Sequence, residues 1–258
     1  MDTLILKLAL TPALIGAASL AGRRWGPSVS GWLVGLPFTS APIVFFLALA
    51  EGSTFAHDAA IGTLAGTLSQ AGFCLVYAWL AGRFTWLFSC VASTLVFLGA
   101  TAALQALHAP LAIVYPITAL ALVLALLLIP RHDAAEAGVR RLPAWDLPAR
   151  MIIATAFVIA LTAVAAALGP HLTGLLAPFP LYAAILTGFA HSQQGGGAAI
   201  GVLRGLLFGL FAFATFFAVL AALIEPSGIA LAFAGALVAA LGVQGGSFWL
   251  LRRVLASR

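Results

Sequence analysis

The stretch Gly26-Pro27-Ser28-Val29-Ser30-Gly31-Trp32-Leu33-Val34-Gly35-Leu36-Pro37 carries a frame of glycine and proline that returns 143 residues later as Gly169-Pro170-x3-Gly174-x5-Pro180. A second block follows each copy. Ala60-Ile61-Gly62-x3-Gly66 matches Ala199-Ile200-Gly201-x3-Gly205 at an offset of 139, which leaves the second copy four residues shorter between the blocks. Two blocks recurring in one order point to an internal duplication, and a repeat constrains the fold before any local pattern does.

Outside these blocks the chain is apolar nearly throughout. Of its 258 residues 63% are hydrophobic and 7% charged, with a mean hydropathy of +1.14; an ordinary globular chain is about a quarter charged. So few charges cannot cover a fold of this size with polar groups, which excludes a soluble protein and makes lipid the solvent for most of the surface. Cys74 and Cys90 both lie in apolar runs, where a thiol behaves as a small hydrophobe, so they carry no redox message. The pI near 10 does not mark a nucleic-acid binder. The arginines are scattered in ones and twos between apolar stretches and form no basic face.

A bilayer core about 30 Å thick takes about 20 apolar residues per helix. On that measure the chain is an all-α integral membrane protein of about nine transmembrane helices, over 3–22, 29–50, 57–80, 86–107, 110–130, 150–169, 172–192, 197–223 and 228–251. The division between the fourth and fifth rests on the turn His108-Ala109-Pro110, since a kinked continuous helix would read the same way. Cytoplasmic loops retain Lys and Arg. An outside N-terminus and inside C-terminus put Arg23, Arg24, Arg83, Arg131, Arg140, Arg141, Arg150, Arg252, Arg253 and Arg258 all inside, and leave Glu51, His57, Asp58, His108, His171 and Glu225 in the external turns. The first span lacks a basic n-region and a small-residue cleavage site and reads as a retained helix.

The duplication then divides the chain into 1–107 (spans 1 to 4), 108–149 (a linking fifth span and a cytoplasmic loop) and 150–258 (spans 6 to 9). An offset of five spans reverses orientation. The expected architecture is two inverted four-helix repeats related by a pseudo-two-fold axis in the membrane plane, as in many secondary transporters; a duplicated bundle without transport is the alternative.

Spans 2 and 7 hold the densest helix breakers: Gly31, Gly35, Pro37 and Pro42 in one, and Gly174, Pro178 and Pro180 in the other. Proline removes a backbone donor, and in lipid the freed carbonyls need another partner. Matched broken helices point to a central site, so Gly35, Pro37, Pro42, Pro178 and Pro180 are the expected hinges. The nearby hydroxyls Thr39, Ser40, Thr173 and Tyr182 either line such a site or simply bond back to their own helix. The G-x3-G steps of spans 3 and 8 read as close helix packing.

Two ionisable side chains fall inside spans. Lys7 lies one turn into the first and can snorkel to the interface. Arg204 lies seven residues into the eighth, where the first copy has Ala65, and follows the polar, glycine-rich turn His191-Ser192-Gln193-Gln194-Gly195-Gly196-Gly197. A helix N-terminus with an arginine suits a carboxylate, phosphate or sulfate; snorkelling to lipid phosphate would also account for it. Arg204, Thr39, Ser40, Tyr182, His191, Gln193 and Gln194 are therefore the candidate substrate contacts. Glu51 and Asp58, with His57 beside them, are candidates for proton coupling from the outer side or ordinary solvated loop residues. Gln244-Gly245-Gly246-Ser247 suits helix packing or a pore lining.

Intramembrane catalysis has little material here. Glu51, His57 and Asp58 have no helical i, i+4 ligand pair, and no nucleophile elbow, phosphate loop or dinucleotide fingerprint occurs. No enzyme activity, metal or cofactor is expected. Membrane lipids and a small-molecule substrate are the expected partners, with a homodimer compatible with them and no nucleic acid.

In the second half, Gly174-Leu175-Leu176-Ala177-Pro178-Phe179-Pro180, His191, Arg204 and Phe208-Gly209 resemble the pattern of the short GlpM-like bacterial membrane proteins of about four spans. The resemblance covers about 90 residues, and the first half joins it only through the repeat. It implies a bacterial inner-membrane protein connected with exopolysaccharide (alginate) production. This chain departs from that family in being duplicated, so a single-copy relative would pair antiparallel to build the same unit. The expected function is a secondary transporter moving a small anionic solute across the bacterial inner membrane by alternating access. The alternative is a lipid or lipid-linked glycan flippase, or an accessory subunit of envelope-polymer synthesis.

Overall fold

The apolar runs form helices whose ends fall where glycine and proline interrupt them. The structure, a computed structural model, describes residues 2–38, 40–105, 109–130, 145–156, 159 and 179–256, with the side chains of 2–10, 105 and 254–256 left undescribed. The described residues form nine helical elements and no strand. They are α1 (Asp2–Trp25), α2 (Pro27–Val34), α3 (Ser40–Glu51), α4 (Ser53–Leu80), α5 (Trp86–Gln105), α6 (Leu111–Leu128), α7 (146–156), α8 (Leu181–Gln194) and α9 (Gly196–Ala256). Four helices among the described residues are long and apolar enough to cross a membrane: Ser53–Leu80, Trp86–Leu104, Leu111–Leu128 and Gly196–Arg253.

Two divisions differ from the apolar lengths. The second run is split into α2 and α3, because Gly35 and Pro37 end one helix before Ser40 opens the next. The last two runs form one element, α9, whose continuity breaks at Gly228 with φ 76° and ψ 169°. Its arms fold back on each other there: Phe216 meets Phe233 with ring centroids 6.0 Å apart, and Gly235 faces Leu223. Pro110, extended at φ −68° and ψ 156°, opens α6 and separates it from α5. Most of the expected sixth span, the first half of the seventh and the loop 131–144 lie outside the described residues. Thr39, Thr173, Gly174, Pro178, His108 and His171 lie there too.

The first arm of α9 is the centre of the molecule. Leu203, Leu207, Leu210, Phe217 and Leu220 are fully buried there against α4, α6 and α2. α4 crosses this arm antiparallel, since His57 bonds Ala221 near one end and Gly196 packs on the Ala81 carbonyl near the other. α1 and α7 also run antiparallel, with Arg23 on Asp146 and Gly16 on Met151. The outward faces stay apolar: Leu95, Leu127, Leu231 and Val238 are each at least 64% exposed. In water such a surface would aggregate; in a bilayer it is solvated.

Glycine sets the spacing between α2 and α9. A Cβ at Gly31 would overlap the Val202 carbonyl, one at Gly205 the Ser28 carbonyl, and one at Gly35 would come within 2.5 Å of the Gly209 Cα. The expected G-x3-G packing is realised on α9 by Gly205 and Gly209, with Gly201 more loosely seated on Pro27 at 3.4 Å. At Gly62 an added Cβ meets nothing within 4 Å among the described residues.

Candidate functional site

The break between α2 and α3 frees carbonyls that lipid cannot satisfy. Gln244 of the second α9 arm supplies one donor, its Nε2 bonding the Trp32 carbonyl at 3.0 Å. The Trp32 indole N–H donates to Ser247 Oγ at 3.0 Å, and that hydroxyl donates to the Gln244 carbonyl at 3.0 Å. Trp32 also stacks on Phe248 at 4.6 Å. Of the two roles open to Gln244 from sequence, helix packing is the one seen. Replacing Gln244 by leucine keeps the bulk but strips the carbonyl of that donor, and is expected to lower stability by about 1–3 kcal/mol. The denaturation midpoint of the purified protein checks this; an unchanged midpoint would show that the bond carries nothing.

Beyond the break, the Phe38 amide bonds the Leu36 carbonyl at 2.8 Å and the Ala41 amide the Pro37 carbonyl at 2.9 Å. Ser40 is buried as the first residue of α3, and Pro42 follows inside that helix. α8 opens in the same way. Leu181 N bonds Phe179 O at 2.8 Å and Ala184 N bonds Pro180 O at 2.8 Å.

The candidate contacts on α8 go to different places. Tyr182 shares a hydrogen bond with Thr11 of α1 at 3.0 Å, and His191 Nδ1 lies 3.3 Å from the Tyr77 hydroxyl of α4. Gln193 donates to Asp146 at 2.7 Å, and Gln194, half-buried, ends the helix. Arg204, 7% exposed, donates through Nη2 to the Pro130 carbonyl at 2.9 Å. It therefore serves a carbonyl just past the C-terminus of α6, where cations are favoured by the helix dipole. The proposed outer acids are not gathered: Glu51 and Asp58 are exposed, and no hydrogen bond or ion pair among the described residues joins them to His57. His57 instead donates from Nδ1 to the Ala221 carbonyl at 2.8 Å.

The densest polar cluster is not among the sites expected from sequence. Asp146, with a side chain 0% exposed, accepts from Arg23 Nη2 at 2.9 Å, from Arg150 Nε at 2.9 Å and from Gln193 Nε2 at 2.7 Å. Three helix ends therefore meet on one carboxylate: the last turn of α1, the first turn of α7 and the last turn of α8. Arg150 also lies over the Phe189 ring at 5.0 Å. Burial pushes the Asp146 carboxyl up, but hydrogen bonds from Arg23 and Arg150, the Arg150 charge and the Gln193 amide outweigh it and hold it below its ordinary value of 3.8. The sequence does carry one signal of this cluster. Asp146-x3-Arg150 is an i, i+4 acid–base pair at the head of α7.

Comparison of the chain with protein-family models, with curated proteins and with solved structures returns no match.

Proposed function

We propose that this chain is a secondary transporter of the bacterial cytoplasmic membrane, built from two inverted repeats and moving a small anionic solute. The observation that carries the proposal is a constant register of 143 residues between backbone features of the two halves. The bonds Phe38 to Leu36 and Ala41 to Pro37 recur as Leu181 to Phe179 and Ala184 to Pro180. Gly52 to Ala48 and Ala56 to Gly52 recur as Gly195 to His191 and Ala199 to Gly195, and Gly52 and Gly195 share a φ of 92°. This register needs no four-residue gap, and it pairs Gly62 and Gly66 with Gly205 and Gly209.

The antiparallel crossings support the inversion. Contacts of α4 with α9 are centred near Thr67 with Leu210, a pair itself 143 apart, and α1 with α7 crosses in the same antiparallel sense. A two-fold axis relating the halves would pass through the crossing of α4 with α9. Broken helices at equivalent positions on such an axis are the arrangement transporters use for a midplane site. Arg204 is the basic residue best placed inside a span to attract an anion, with Ser40 and Tyr182 beside the two breaks and Thr39, His191, Gln193 and Gln194 completing the proposed lining. Glu51 and Asp58 remain the proposed coupling acids.

Flux into proteoliposomes tests the proposal, with phosphate, sulfate and acetate as probes. Arg204→Ala is expected to lower uptake roughly tenfold or more, the value of one charge-assisted hydrogen bond. Uptake equal to wild type in the variant would remove the anion assignment. Lipid translocation is the second reading, favoured by an open, largely apolar groove between α6 and α9, lined by Leu111, Tyr115, Pro116, Thr215 and Val219. Movement of a fluorescent lipid between leaflets, with no solute flux, would select it.

A further inference from the structure

We propose that the seam between α1 and α7 binds an anionic glycerophospholipid, its phosphate at Arg23 and Arg24 and one acyl chain in the groove below them. The proposal depends on the membrane location alone and stands whether or not the protein transports a solute.

The seam has two parts in register. At one end Arg23 grips Asp146; further along Gly16 faces Met151; beyond that Pro12 lines a groove of about 430 Å³ with Met151, Ile152, Thr155, Ala156 and Ile159. Every side chain lining the groove is apolar except Thr155, whose hydroxyl is turned back onto the Met151 carbonyl at 2.8 Å. From 146 to 156 α7 climbs about 15 Å at 1.5 Å per residue. That matches one leaflet of a core about 30 Å thick.

The ionic end bears the marks of a membrane interface. Trp25 and Trp145 flank it, 58% and 61% exposed, and indole rings collect at the headgroup level. Among the described residues, Arg23, Arg24 and Arg150 stand against Asp146 in this cluster. Arg150 Nη2 is buried without a hydrogen-bond partner among the described residues, about a third of the Arg23 side chain remains exposed, and exposed Arg24 lies over the Trp25 ring at 5.6 Å. Water-accessible cations at the headgroup level favour an anion, and guanidinium groups match phosphate oxygens. A free anion would answer the charge and leave the groove empty; a neutral lipid would fill the groove and leave the charge. One anionic lipid does both.

The test uses the full chain in detergent, melted with added dioleoylphosphatidylglycerol, dioleoylphosphatidylcholine or inorganic phosphate. Phosphatidylglycerol is expected to raise the melting temperature saturably, and the other two not to. Arg24→Gln, outside the Asp146 network, should weaken the phosphatidylglycerol response about five-fold, the worth of one basic residue at an anionic lipid. Ala156→Phe, on an exposed position of the groove wall, should weaken it as well with every charge in place. Equal shifts from phosphatidylcholine would reduce the seam to a groove without charge recognition. An equal shift from inorganic phosphate would reduce it to a simple anion site. Full phosphatidylglycerol binding by both variants would overturn the assignment.

Discussion

Replacing Gly205 by alanine is expected to cost this protein about 2 kcal/mol or more of stability, although alanine is the better helix former. The added methyl lands on the Ser28 carbonyl, a backbone atom that cannot move without shifting α2. α2 is eight residues long and is held between α1 and α9, so the strain passes to the break at Gly35 and Pro37. The same substitution at Gly62 is the control. There the methyl meets nothing among the described residues, and Gly→Ala inside a helix is expected to gain about 0.5–1 kcal/mol. Opposite signs at the two positions, read from chemical or thermal denaturation in one detergent, would verify the α2–α9 contact. A loss at neither would mean that α2 does not sit on α9 this closely.

Asp146→Ala is expected to cost more than the loss of any other side chain in its cluster, about 3 kcal/mol. Removing one partner of a buried ion pair leaves the other charges uncompensated. The low end of the usual range applies because Arg23 keeps access to water. Asp146→Asn retains an acceptor and should fall between wild type and alanine. The same carboxylate gives the stability a pH signature. Its folded value lies below its ordinary value of 3.8, so its contribution is fully present above about pH 4 and is lost as pH falls through the lowered value. Wild type should therefore lose stability steeply at the acid end, and the difference between wild type and Asp146→Ala should shrink over the same range. A difference independent of pH would show that the charge is not what stabilises the cluster.

The elements most legible in the sequence are those that lipid dictates. The lengths of α4, α5 and α6 follow from apolar runs, and the interruption between α2 and α3 follows from proline and glycine chemistry. Arg204 stands out in the sequence as a base inside a span, yet its partner, the Pro130 carbonyl, lies 74 residues away, just past the end of α6, with no matching signal. The Asp146 cluster is hidden for a different reason. Arg23 and Arg150 fit the topology expected from sequence, which offers a sufficient reason for each taken alone; their bonds to one carboxylate appear only when α1 and α7 are brought together. Gln244 shows the same limit. An amide beside small residues fits packing or a pore equally well, and only its bond to the Trp32 carbonyl decides.

The sequence distances within that cluster bear on biogenesis. Arg23 lies 123 residues from Asp146, and Gln193 a further 47 along the chain. At a ribosomal rate of about 5–20 residues per second, the carboxylate's last partner is made on the order of ten to thirty seconds after Arg23. The closing of three helix ends on one carboxylate is thus a late step, completed only once α8 has been made, and a nascent chain arrested between residues 150 and 193 should carry the Arg23 and Arg150 pairs to Asp146 without the Gln193 bond.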